Sequence, residues 1–124
     1  MTSTDGIVID ERLVLKSDAS GPRSARMVLQ NPRVDFAVVT NVAPDHLGMR
    51  GIDTLEQLAD VKAVVVEAVP RDGFAVLNAD DPLVRRMRRR CSGSVVWFSL
   101  AEPGTKVRDL IDNHCRHGGR AIVL

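Results

Sequence analysis

The chain has 124 residues, 44% of them apolar, with 17 basic and 16 acidic side chains and a net charge of +1. That fits one domain over residues 1–124, with no global field to recruit nucleic acid or an anionic membrane. No apolar run nears the ~20 residues of a membrane span and the first twelve positions lack a signal peptide's apolar stretch, so the chain is expected to be cytoplasmic, with Cys91 and Cys115 reduced and buried as small hydrophobes.

Residues 6–10 and 11–15 are two short β-branched runs around an acidic turn and predict a hairpin. A cluster of turn formers at 17–22 follows, and Pro22 suits the first position of a helix over 22–31. The run 34–42 (VDFAVVTNV) lacks the alternation of a half-solvated strand, which predicts a strand in the middle of a sheet covered on both faces. After the loop 43–51, the spacing of Asp53 and Glu56 predicts a capping box that starts the next helix. Its expected buried stripe is Leu55, Leu58, Val65 and Val69, with Lys62 on the same stripe.

Residues 74–78 predict a strand, and Asp80, Asp81 and Pro82 start a helix that turns Leu83, Val84 and Met87 inward. A strand over 94–99 and an amphipathic helix marked by Val107, Leu110, Ile111 and Cys115 come next. Gly118 and Gly119 stop that helix before a last strand over 121–124. Strands alternating with helices at short loop spacing predict an α/β fold: a doubly wound, mostly parallel sheet with right-handed crossovers, preceded by the N-terminal β-hairpin.

In an open α/β sheet ligands bind beyond the carboxyl ends of the strands, which draws attention to residues 40–46. There Asp45 and His46 combine a carboxylate with an imidazole, a pair suited to a divalent ion or a phosphate or, more simply, to capping the loop. Lys62 adds an ammonium on an inward stripe, where it must snorkel, lose its proton, or meet an anion or a modification. The five arginines within 85–90 are expected to form a solvated face opposite Leu83, Val84 and Met87, since aromatic interleaving and overall basicity for nucleic acid are missing. Cys91, His114, Cys115 and His117 lack the spacing of a zinc set.

Residues 2–10 (TSTDGIVID), 21–29 (GPRSARMVL), 39–48 (VTNVAPDHLG), 51–55 (GIDTL), Val61 with Lys62, and 77–82 (LNADDP) occur in an order that resembles the central ATPase domain of the Mur ligase superfamily. Within it, the pattern looks most like the cyanophycin synthetase branch. The resemblance implies an ATP- and magnesium-dependent ligase that phosphorylates a carboxylate and lets an amine attack the acyl phosphate. Its substrates would be an aspartate/arginine polymer and an amino acid. It further implies that His46 is a magnesium ligand, that Asn41 and Asp45 support its loop, and that Lys62 matches the lysine many Mur ligases carbamylate.

Departures from the pattern accompany the matches. No G-x-x-x-x-G-K-S/T phosphate loop occurs in the 124 residues. The strand 34–38 also runs straight into 39–42, where the family inserts a metal-binding glutamate and a helix. The expectation is a truncated domain with little ligase activity alone. The alternative is a non-enzymatic module that associates with a second copy or another chain through an exposed sheet edge.

Overall fold

The computed structural model describes residues 2–3, 6–9, 12–15, 35–44, 47–48 and 51–124. Near the N-terminus, β1 (Thr2–Ser3), β2 (Gly6–Ile9) and β3 (Arg12–Leu15) pair antiparallel in the order β1-β2-β3, with a register shift between Ile7 and Val8. The expected hairpin is β2 and β3, joined through residues 10–11, and β1 extends it. The helix expected over 22–31 lies outside the described residues.

The main sheet contains β4 (Phe36–Val39), β5 (Phe74–Asn78), β6 (Ser94–Ser99) and β7 (Arg120–Val123), all parallel and in sequence order. Helix α1 (Leu55–Glu67) connects β4 to β5, and α2 (Pro82–Met87) with a 3-10 turn (Arg88–Arg90) connects β5 to β6. Helix α3 (Lys106–Arg116) connects β6 to β7. This is the α/β, parallel-sheet architecture the sequence predicts. No described helix is long and apolar enough to cross a membrane.

The cap of α1 sits one residue later than expected. Thr54, not Asp53, is the N-cap: its hydroxyl accepts from the Gln57 amide at 3.1 Å, while the Gln57 side chain accepts from the Thr54 amide at 3.2 Å. Both pairs satisfy the capping-box spacing, but the structure forms the later one, and the helix it starts buries Leu58, Ala59, Ala63 and Val66. Helix α3 ends in a Schellman turn: Gly118 takes φ of 86°, and the amides of Gly118 and Gly119 donate to the carbonyls of Cys115 and His114, both at 3.0 Å. A Cβ at Gly119 would run into the His114 imidazole, so a side chain there requires the ring to move.

Alternate residues of the strands enter one core. Ala37, Val39, Ala75, Leu77 and Trp97 are buried against Leu58, Ala63 and Val66 of α1, Val84 and Met87 of α2, and Ile111 of α3. All three described helices therefore cover the same face of the sheet. Each fully buried Leu, Val or Ile stabilises this arrangement by about 1.5–3 kcal/mol. Cys115 is exposed, contrary to expectation, although it lies one turn after the buried Ile111; in that last turn of α3 it is His114 that reaches β6.

On the opposite face the same strands present Phe36 (53% exposed), Val38 (52%), Phe74 (41%) and Ile122 (59%). The rings of Phe36 and Phe74, cross-strand partners, stack with centroids 5.5 Å apart. The expectation that 34–42 lies in mid-sheet with both faces covered is thus corrected for the described residues. Strand β4 ends the row, and its outward side chains stand half in solvent. A continuous apolar run reports that both faces of a strand are apolar, not that both are covered.

Candidate functional site at the carboxyl ends of the strands

The carboxyl ends of β4, β5 and β6 are bound together by side chains from the turn 78–81. The Asn78 amide nitrogen donates to the Thr40 carbonyl at 2.8 Å, and its oxygen accepts from the Asp80 amide at 2.9 Å. Asp81 caps α2, accepting from the amides of Leu83 at 2.8 Å and Val84 at 3.2 Å, and its other oxygen accepts from the Val42 amide at 2.8 Å. Asp80 reaches the other way, accepting from the Ser99 hydroxyl and from the Leu100 amide at 2.8 Å. Arg85 closes the rim by donating to the Ala79 carbonyl at 2.6 Å.

Of the predicted site residues, the structure brings Asn41 and Lys62 together. Lys62 is half-buried on α1, and its ammonium lies 3.5 Å from the Asn41 carbonyl, just beyond β4. The Asn41 side chain is exposed and accepts from the Thr40 hydroxyl at 3.0 Å. Lys62 stands at the margin of the buried stripe rather than inside it, since Leu58, Ala59, Ala63 and Val66 form the stripe's centre. It thereby snorkels to a carbonyl, the ordinary outcome for an amphipathic side chain. Asp45 and His46 lie outside the described residues.

Sequence reading found Asp81 as a cap but missed its bond to Val42 and the roles of Asn78 and Ser99. Those partners lie 39, 38 and 19 residues apart, beyond the reach of any local pattern.

Part of the arginine run ties elements together: Arg90 pairs with Glu67 of α1 and with Asp60 at 3.3 Å. Arg86, Arg88 and Arg89 remain exposed. His114 bonds the Val95 carbonyl at 3.0 Å, and His117 bonds the Asn113 carbonyl at 2.8 Å. Among the described residues no group of three His, Cys, Asp or Glu could hold a metal ion.

Magnesium prefers several hard oxygen ligands. The carboxylates of Asp80 and Asp81 each have both oxygens engaged by protein donors, and the nearest ammonium faces a carbonyl. The described residues on their own do not fit a magnesium–nucleotide site.

Parallel strands ending in a polar, side-chain-bridged rim define an α/β protein of the class that takes ligands at that end of the sheet. The Mur ligase middle domain family model matches residues 13–124, and the chain belongs to this family. It is 44% identical to the cyanophycin synthetase of Crocosphaera subtropica and 43% identical to that of a Synechocystis species, each over 98% of this chain and 16% of the relative. It is also 32% identical, over 70% of the chain, to the UDP-N-acetylmuramoyl-L-alanyl-D-glutamate--2,6-diaminopimelate ligase of Chlorobaculum tepidum.

The chain thus spans about a sixth of the length of the cyanophycin synthetases it matches. Their alignments run over 144 positions, more than the 124 residues available, so the relatives hold residues with no counterpart here.

Proposed function

We propose that this chain supplies the strand-end scaffold of the central domain of an ATP-dependent, amide-forming ligase of the cyanophycin synthetase type, and that the 124 residues alone do not turn over ATP. The placement of Lys62 carries this reading. Helix α1 delivers its ammonium to the carbonyl of Asn41, four residues before Asp45, at the end of the sheet where α/β proteins hold ligands. In this reading Lys62 is the carbamylation site, His46 a magnesium ligand, and Asn41 and Asp45 supports of the loop. The substrates are an aspartate/arginine polymer and an amino acid.

Magnesium would supply charge neutralisation for phosphoryl transfer to a carboxylate, a reaction governed by positioning and electrostatics. This chain's own contribution is positional: Asp81 fixes Val42, Asn78 fixes Thr40, and Lys62 lies against Asn41. The 124 residues contain no G-x-x-x-x-G-K-S/T motif, the loop whose backbone amides cradle phosphates in many ATP-binding proteins.

Calorimetric titration of the 124-residue chain with magnesium and ATP tests the second half of the proposal, and heat indistinguishable from dilution is expected. Saturable heat with phosphate release, lost in Lys62→Ala, would show instead that the chain is catalytically self-sufficient.

A second reading rests on the half-exposed Phe36, Val38, Phe74 and Ile122: a non-enzymatic association module that buries this face, or the edge of β4, against another chain.

A further inference from the structure

A cleft of about 540 Å3 opens at the other end of the sheet, where β5, β6 and β7 begin. Its existence follows from the register. Strand β7 starts at Arg120 opposite Val96, so the first two residues of β6 have no partner in β7 and the sheet steps back there. The His114 imidazole fills the back of the notch. Its Nε2 contacts the Val95 carbonyl at 3.0 Å, and because a carbonyl only accepts, that nitrogen carries a proton. The Schellman turn at Gly118 and Gly119 lets the chain pass against the ring without a side chain in the way.

Basic and apolar residues line this cleft together. Arg88 comes from the 3-10 turn, Arg120 from the start of β7 and His117 from the end of α3, facing a single lining carboxylate, Asp72; Phe74 and Val96 supply apolar surface. Arg85 and Arg90, which flank Arg88 in the arginine run, are engaged by the protein itself. Arg88 and Arg120 are exposed, and among the described residues neither forms an ion pair.

Two guanidinium forks beside apolar lining residues are suited to an anion with more than one carboxylate or phosphate group and some hydrocarbon between them. We propose that this cleft binds a small organic polyanion, held by Arg88 and Arg120 and resting on Phe74 and Val96. The site lies at the opposite end of the strands from Asn41 and Lys62, and it is independent of the ligase reading.

Trp97 reports on the cleft: it is the chain's only tryptophan, there is no tyrosine, and its ring meets His114 edge-on with centroids 6.2 Å apart. Citrate and tripolyphosphate, each titrated into the full chain, should change Trp97 emission saturably, while sodium chloride at matched ionic strength should not. Saturation with either anion supports the proposal and shows which chemistry is preferred. In Arg88→Gln/Arg120→Gln the apparent affinity should fall at least tenfold, and in Lys106→Ala, a charge removed from α3 outside the cleft, it should not change. A response that simply follows ionic strength in the unaltered chain overturns the proposal, and so does a double variant that binds as tightly as the unaltered chain. The salt-matched arm needs no variant and decides the matter even if the double variant does not fold.

Discussion

Asp81 joins two distant parts of the chain with one carboxylate. One oxygen takes the first free amides of α2 and the other takes the amide of Val42 beyond β4. Replacing it with alanine leaves these donors without an acceptor, and a cost of about 2–4 kcal/mol is expected from the loss of a cap and of a charged hydrogen bond. Asp81→Asn should cost about half as much, because its carbonyl can still cap α2 while its amide nitrogen cannot accept from Val42. Urea unfolding with an unchanged m-value is the measurement. At the other end of the sheet, Gly119→Ala should destabilise by about 1–3 kcal/mol as the new methyl group displaces the His114 ring. In a His114→Ala background the same change should cost markedly less, a coupling that a double-mutant cycle reads directly. The sequence marked Asp81 through its neighbours Leu83 and Val84, but nothing in a local pattern links position 81 to position 42.

At the scale of elements, the strands over 74–78 and 94–99, the start of α2 and the stop of α3 were legible because their signals are local: β-branched runs, a proline after an aspartate, a pair of glycines. Helix α1 was legible as a helix, but its frame was ambiguous by one residue. Asp53 with Glu56 and Thr54 with Gln57 have the same spacing, and only packing chooses between them. Thr54→Ala should therefore cost about 1 kcal/mol, and Asp53→Ala should stay within about 0.5 kcal/mol of the unaltered chain, by thermal or urea denaturation. The buried stripe centres on Leu58, Ala59, Ala63 and Val66, which leaves Lys62 at its margin. Of the candidate site, the convergence of Lys62 with the segment after β4 was readable from fold logic and family resemblance. The bridging roles of Asn78 and Ser99 were not, since each joins segments about 20 or more residues apart in the chain.

For the whole molecule, the one-sided distribution of the described helices sets the main physical problem. The helical face holds the buried core, while the opposite face leaves Phe36, Val38, Phe74 and Ile122 half in water. Apolar surface of this kind favours association. Light scattering should give an apparent mass that rises with concentration for the unaltered chain and rises less for Val38→Thr/Ile122→Thr, which keeps β-branched shape and removes apolar surface. A concentration-independent monomer in both would exclude the association reading. The row of strands in sequence order has a kinetic consequence as well. Among the described residues each strand of this sheet pairs with its immediate predecessor and successor, so the sheet can grow outward from any adjacent pair without awaiting a distant segment. The shortest closure is between β5 and β6, where Phe74 meets Ser94, and the longest is between β4 and β5, where Phe36 meets Phe74. Loop-closure entropy then favours β5 and β6 as the folding nucleus, with β4 among the last to join. A chain emerging from the ribosome would hold β4 unpaired until β5 has been made, the interval in which its bare edge is most open to the wrong neighbour.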